Sequence, residues 1–87
     1  MNGFVYILED LSHRYYIGSC ANVEKRLKRH LSGLVYTTRR MKEPKLVFHQ
    51  HYQTMNEAKT IERKLKKLKR KDYIAKIIRD GVIKMKP

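Results

Sequence analysis

The sequence has few cysteines, few acidic residues and no long apolar run. Its single cysteine, Cys20, excludes an intrachain disulfide, which fits a reducing cytoplasm. The longest uninterrupted apolar run is Phe4 to Leu8, far too short to span a membrane. No signal-peptide pattern opens the chain. We therefore expect a cytoplasmic protein with no membrane partner.

Positive charge dominates what is present. Lysine and arginine total 21 against eight acidic residues, giving a formal net charge of +13 on 87 residues. Such an excess repels itself unless a polyanion is the partner, and nucleic acid is the first candidate. The run from Arg63 to Lys71 holds seven cations in nine residues. A charge run on a helix is usually a solvated face, but added to the whole-chain excess it favours phosphate contact.

The chain length predicts one domain over residues 1–87, built around a β-hairpin. Phe4–Leu8 and Tyr15–Gly18 are rich in β-branched and aromatic residues, and a polar segment separates them. If the hairpin closes around Ser12, Tyr6 lies opposite Gly18 and Tyr16 opposite Leu8. Both phenols then share a face, and Gly18 leaves open space beside Tyr6. A one-residue slip would separate them, and both rings also suit ordinary half-buried packing.

Two further elements follow the hairpin. Asn22 is a predicted N-cap, and the helix after it carries an apolar stripe ending near Gly33. The members of that stripe are Val23, Leu27, Leu31 and Leu34. Arg26 and His30 lie four residues apart beside the stripe. A third strand is predicted over Lys45 to Tyr52, with Leu46 and Phe48 on one face and Val47 on the other.

The clearest helix begins at a capping box, with Thr54 as N-cap and Glu57 three residues later. Its predicted apolar stripe consists of Ala58, Ile61, Leu65 and Leu68. Glu62 lies at the edge of that stripe, where the ordinary alternative is an exposed ion pair with Lys66. A short third helix is predicted over Asp72 to Arg79, ended by Gly81. The element order β-β-α-β-α-α indicates an α+β domain with helices packed on a three-stranded antiparallel sheet.

These residues, taken together, resemble the GIY-YIG nuclease superfamily. More narrowly, they resemble its small single-domain bacterial members, which are similar to the N-terminal nuclease domain of the excision-repair endonuclease. In the first motif, Phe4-Val5-Tyr6, only the tyrosine matches, whereas Tyr16-Ile17-Gly18 keeps the second motif intact. The later matches are Arg26-Leu27 with His30, Gly33, Tyr36-Thr37, Pro44 with Leu46-Val47, Glu57-Ala58 and Glu62.

The resemblance implies a role for each of five residues. It makes Tyr6 the general base, Tyr16 the second active-site tyrosine and Arg26 the contact to the scissile phosphate. It gives His30 a part in proton transfer, as relay or as alternative base, and makes Glu62 the ligand of Mg²⁺ or Mn²⁺. We expect the arginine, the metal and the positive field to lower the pKa of Tyr6. The asparagine that some members place downstream of the glutamate is absent, so its role is either missing here or filled by another residue, with Lys66 and Lys69 as the candidates.

The resemblance therefore predicts an endonuclease that nicks DNA, or acts on branched or single-stranded substrates, with little base readout. The expected product carries a 5′-phosphate and a 3′-hydroxyl. No small-molecule cofactor is expected, and the sequence leaves the oligomeric state open. The residues predicted to contact nucleic acid are Lys25, Arg29, Thr37, Arg39, Arg40, Lys66 and Lys69. One alternative is a nucleic-acid binder of the same fold without catalysis. A second is a basic protein–protein or membrane-surface module.

Overall fold

The computed structural model describes residues 2–32 and 40–87, which form one three-stranded antiparallel sheet and three helices. The strands are β1 (Gly3–Glu9), β2 (Tyr15–Cys20) and β3 (Lys45–Tyr52), and the helices are α1 (Val23–Leu31), α2 (Met55–Leu68) and α3 (Lys71–Asp80). The sheet order is β2-β1-β3, so β1 is the central strand and β2 is an edge strand. The predicted fold class and element order are confirmed.

The hairpin has the predicted register, with Tyr6 paired to Gly18 and Leu8 to Tyr16. Asp10 organises the turn, because its Oδ1 accepts the backbone N–H groups of Ser12 and Arg14, each at 2.9 Å. Burial raises the pKa of Asp10, but its bonds from backbone N–H groups outweigh burial and hold the pKa below its usual value. The turn is therefore built on a carboxylate that stays ionised at neutral pH.

A β-bulge between β1 and β3 overturns one prediction about the third strand. Ile7 pairs with Phe48, whereas the next residue, Leu8, pairs with Leu46, so Val47 is an extra residue in the ladder. Leu46 packs in the cluster of Leu8, and Phe48 packs in the cluster of Ile7. The prediction that Leu46 and Phe48 share a face is wrong, because the extra residue interrupts the alternation of side chains.

Helices cover both faces of the sheet. One face contributes Val5, Ile7 and Ile17 to a cluster with residues of α2 and α3. On the other face, Tyr6, Leu8 and Cys20 pack with residues of α1. The helix residues of the first cluster are Ala58, Ile61, Leu65, Ile74 and Ile77, and those of the second are Val23 and Leu27. The sheet therefore separates α1 from α2.

The ends of two predicted apolar stripes are wrong. Leu31 is 61 % exposed and Leu68, the last residue of α2, is 42 % exposed. On α1 the buried residue of the last turn is His30, because its ring finds a hydrogen-bond partner in the core. The predicted stripe member Leu34 and the predicted stop at Gly33 lie outside the described residues. Within residues 2–32 and 40–87, no helix combines the length and the apolar content needed to cross a membrane.

The C-terminal segment after α3 packs against the sheet. Gly81 ends α3 in the left-handed conformation, as predicted. Ile83 is then buried, and its backbone N–H and C=O both bond the side chain of Gln50 on β3, at 2.8 and 3.2 Å. The sequence alone did not place this segment.

Candidate active site

Tyr6 lies on the central strand with its ring across Gly18. A Cβ built on Gly18 would stand 2.5 Å from Cζ and 2.8 Å from Cε1 of Tyr6, closer than real atoms approach. The glycine is therefore required at this register position, because any side chain there would displace the phenol. This agrees with the open space beside Tyr6 that the hairpin register predicted.

Helix α1 brings His30 to this phenol. Asn22 caps the helix, since its Oδ1 accepts the N–H of Lys25 at 3.0 Å, and this fixes where the first turn begins. Two turns later the His30 Nε2 lies 2.8 Å from the Tyr6 Oη, and both residues are only 2 % exposed. The Tyr16 ring completes the cluster, with its centroid 6.2 Å from that of Tyr6 and 5.0 Å from that of His30.

Burial keeps both members of the Tyr6–His30 pair neutral at pH 7. It is the largest cause of the raised pKa of Tyr6, followed by the nearby Tyr16. Arg26 acts in the opposite direction and is outweighed, so the arginine and the positive field do not lower the pKa of Tyr6 as expected. The pKa of His30 is lowered, first by burial and then by Arg26 and Arg29. The Tyr6 hydroxyl therefore donates to Nε2, and the neutral imidazole carries its own proton on Nδ1.

Arg26 lies one turn before His30 on α1 and is half-buried. Its charge acts on the pKa of Tyr6, of His30 and of the buried Cys20, which places the guanidinium beside all three. A planar cation next to a hydrogen-bonded phenol is suited to gripping an anionic oxygen through two donors.

Glu62 projects from α2 at the edge of its buried face, as the helical spacing predicts. The Ser19 hydroxyl donates to Oε1, and the Lys66 Nζ lies 2.7 Å from Oε2, in the ion pair that the sequence offered as the ordinary alternative. The Glu62 side chain remains 21 % exposed. Ser19 was missed by sequence reasoning, although strand alternation carries the signal: it points away from Gly18 and therefore towards α2.

Lys66 connects Glu62 to the tyrosines. Its Nζ lies 5.6 Å from the centroid of the Tyr16 ring while it pairs with the carboxylate, so its side chain reaches around the edge strand β2. The structure thus brings Tyr6, Tyr16, His30 and Arg26 together directly. Glu62 joins them through Lys66 from the opposite face of the sheet.

A divalent metal at this site would have one carboxylate ligand. Within residues 2–32 and 40–87, no group of three or more His, Cys, Asp or Glu side chains is placed to hold a metal ion. Mg²⁺ commonly binds through one or two carboxylates and keeps several waters, so a partly exposed Glu62 fits Mg²⁺ or Mn²⁺ once Lys66 moves from Oε2. His49 and His51 are residues of a metal-ligating type that share a face of β3. Their rings lie against Phe4, and the His51 Nε2 is 3.0 Å from Asn2 Oδ1.

The residues predicted to contact nucleic acid occupy several elements. Lys25 and Arg29 are exposed on α1, Arg40 is exposed before β3, Lys66 is on α2, and Lys69 caps the C-terminus of that helix. Thr37 and Arg39 lie outside the described residues. Contact of these residues with nucleic acid stays a prediction.

Comparison with known proteins agrees with the resemblance drawn from the motifs. The sequence matches the family described as the GIY-YIG catalytic domain over residues 2–76. The solution NMR structure of the UPF0213 protein BH0048 from Bacillus halodurans is similar, with 32 % sequence identity and a TM-score of 0.58. The match covers 93 % of this chain and 87 % of that one. Comparison with curated proteins finds no match.

Proposed function

The chain belongs to the GIY-YIG catalytic domain family, and on that premise we propose that it is a divalent-metal-dependent DNA endonuclease. The observation that carries the proposal is the buried hydrogen bond between Tyr6 and His30, flanked by Tyr16 and Arg26. A phenol bonded to a neutral imidazole is a proton-transfer pair, and a guanidinium beside it supplies the phosphate contact. A net charge of +13 favours DNA as the polyanionic substrate.

The attacking water loses its proton through a relay. As the water attacks phosphorus, Tyr6 Oη takes a proton from it while the phenolic proton passes to His30 Nε2. The products of the transfer are a neutral tyrosine and an imidazolium. Burial makes a free phenolate costly, as the raised pKa of Tyr6 indicates, and the relay avoids forming one. In this proposal His30 is the proton acceptor and Tyr6 is the group that contacts the water.

Stabilisation of the charge that develops in the transition state supplies most of the remaining rate enhancement. Arg26 would bind a non-bridging phosphate oxygen and stabilise the charge that develops in the transition state. Glu62 would hold Mg²⁺ or Mn²⁺, which when bound supplies Lewis-acid stabilisation of the phosphate and the leaving oxygen. Ser19 keeps that carboxylate oriented through its bond to Oε1. A nick is the expected product, because one domain offers one such site, and the family resemblance implies that its ends are a 5′-phosphate and a 3′-hydroxyl.

The second candidate is a nucleic-acid-binding domain of the same fold without catalysis. The Lys66–Glu62 ion pair favours it, because a cation already occupies the proposed metal ligand. The two candidates share the fold and the charge, and they differ only in whether phosphodiester bonds are cleaved.

Nicking of supercoiled plasmid with Mg²⁺ or Mn²⁺ separates them. We expect Glu62→Gln to lower the nicking rate by about 10²–10³-fold and Tyr6→Phe by about 10²-fold, since these are typical costs of losing a charge-stabilising group or a proton-transfer group. Glu57→Gln is the matched control. It makes the same change on the same helix, in a residue whose backbone N–H bonds Thr54, and it should nick normally.

Binding measured without metal completes the experiment. Glu62→Gln should bind a labelled duplex as tightly as the wild-type protein, because the substitution removes no cation. A wild-type protein that binds DNA tightly but never nicks it with either metal would overturn the enzymatic proposal and leave the binding domain. DNA affinity that stays constant as salt rises would overturn both, because phosphate contacts weaken steeply with salt.

A further inference from the structure

A basic cavity of about 400 Å³ opens on the face of the sheet opposite Tyr6 and Tyr16, between β2 and the junction of α2 and α3. Its apolar lining residues are Tyr15, Ile17, Leu65 and Ile74, and its remaining lining residues are Arg14, Lys66, Lys69, Arg70 and Lys71. The volume is typical of sites that take a small organic group. The cavity therefore combines an apolar floor, including one aromatic ring, with a rim of cations.

The rim carries uncompensated positive charge. All five of its charged residues are cations. Three of them pair with acids outside the cavity: Arg14 with Asp10, Lys66 with Glu62, and Arg70 with Asp72. Among the described residues no carboxylate pairs with the other two, which are Lys69 and Lys71. The rim thus favours an anionic occupant.

Local physical chemistry disfavours both of these lysines at their positions. Lys69 has φ 51° and ψ 37°, the left-handed region in which glycine or asparagine is the usual residue at a helix end. Lys71 is the first residue of α3, where the helix dipole disfavours a cation. Departures from local preference of this kind cluster at functional sites. Both side chains line the same cavity.

The cavity is continuous with the candidate active site. Lys66 lines the cavity and also pairs with Glu62 and lies over the Tyr16 ring. Lys69 follows one turn later on the chain. A nucleic-acid strand that leaves the tyrosine cluster around the edge of β2 would therefore enter the cavity with its next phosphates beside these lysines.

We propose that this cavity binds one unpaired nucleotide of the DNA substrate. Its base packs on Tyr15 and the aliphatic floor, and its flanking phosphates bind Lys69 and Lys71. Stacking on an aromatic ring tolerates any base, and duplex DNA keeps its bases stacked inside the helix. The site would therefore select forked, flapped or single-stranded DNA by shape and without base specificity. The proposal rests on the proposed function for the identity of its ligand as DNA.

The test is DNA binding measured in EDTA, so that cleavage plays no part. Fluorescence anisotropy compares a forked duplex with a fully paired duplex, for the wild-type protein and for Lys69→Asn/Lys71→Gln. Asparagine suits the left-handed position, so the variant should melt no lower than the wild-type protein. The matched control, Lys59→Gln/Lys84→Gln, removes two exposed lysines outside the cavity.

We expect the cavity variant to bind the fork about tenfold more weakly than the control variant does, while the two bind the paired duplex equally. A plot of log binding constant against log salt concentration should have a slope for the fork that is smaller in magnitude by about 1.4 in the cavity variant than in the wild-type protein. This is the value for two lost phosphate contacts on a single strand. Replacing the first unpaired nucleotide by an abasic site should weaken wild-type binding by about tenfold, because one stacked base is lost.

Equal fork binding by the cavity and control variants would overturn the proposal, as would an abasic fork bound as tightly as the intact one. The outcome is independent of catalysis. Wild-type protein that discriminates the fork in this way but never nicks DNA would support the cavity proposal and overturn only the proposed endonuclease.

Discussion

Substituting Gly18 by alanine tests whether the sheet itself positions the phenol. The added methyl carbon would stand 2.5 Å from Cζ of Tyr6, and the ring cannot move freely because it is 2 % exposed and bonded to His30. Either the strands separate or the ring shifts away from His30. The second response breaks the hydrogen bond between Tyr6 Oη and His30 Nε2, two buried polar atoms.

The cost follows from these two terms. Overpacking a well-filled core by one methyl costs about 1–3 kcal/mol. Losing a buried hydrogen bond while leaving its partner unsatisfied costs about 1–3 kcal/mol more. We therefore expect Gly18→Ala to lower the free energy of unfolding by about 2–6 kcal/mol, a large part of the ~5–10 kcal/mol typical of a small domain. The melting temperature should fall by at least about 10 °C.

Urea unfolding followed by circular dichroism measures this cost, and a second background isolates its cause. Combined with Tyr6→Leu, the glycine substitution should cost less than about 1 kcal/mol, because the branched side chain leaves room for the methyl. Gly81→Ala is the control: it meets no atom within 4 Å and costs only its left-handed backbone at φ 78°, equally in both backgrounds. A Gly18→Ala protein as stable as the wild type, or an equal loss in both backgrounds, would refute the reasoning.

Two further substitutions test Lys66 and His30, which border the tyrosine cluster from opposite faces of the sheet. Lys66→Gln should tighten Mn²⁺ binding by about two- to fivefold, because it removes a cation that competes for Glu62 with the modest energy of an exposed ion pair. Electron paramagnetic resonance measures the Mn²⁺ affinity, and Lys67→Gln is the control. Unchanged or weaker Mn²⁺ binding by Lys66→Gln would contradict this competition. His30→Gln keeps an acceptor for Tyr6 but does not titrate. Because the folded pKa of His30 lies below 6.5, the unfolded state takes up the proton first, so wild-type stability should fall as pH drops from about 6.5 towards 5. In thermal melts, the melting temperature of His30→Gln should depend much less on pH over this range than that of the wild-type protein. An equal pH dependence would contradict this role of His30.

The sequence predicted the features that depend on local chemistry. The hairpin register followed from the position of the polar turn, and it placed Tyr6 opposite Gly18 correctly. The helix starts followed from Asn22 and Thr54, whose side chains cap the backbone N–H groups three residues on. Short-range signals of this kind need no knowledge of the tertiary structure.

The errors arose where tertiary packing decided the outcome. The bulge at Val47 has no local signature, and it moved Leu46 to the other face of the sheet from Phe48. Helical periodicity favoured Leu31 as a buried residue, but His30 took the inward position because a phenol was there to bond it. The direction of the Tyr6 pKa shift depends on how completely the ring is buried, which charge counting along the chain does not give.

The position of β2 at the edge of the sheet explains how the residues of the candidate site come together. His30 and Arg26 approach from α1 on one face, and Glu62 approaches from α2 on the other. Strand β1 lies between two neighbours, so groups on opposite faces meet around an edge of the sheet, and the edge beside Glu62 and Tyr16 is β2. Lys66 follows that route to the Tyr16 ring. For Arg26 and a metal on Glu62 to act on one phosphate, the scissile bond must therefore lie against the β2 edge, within reach of both faces.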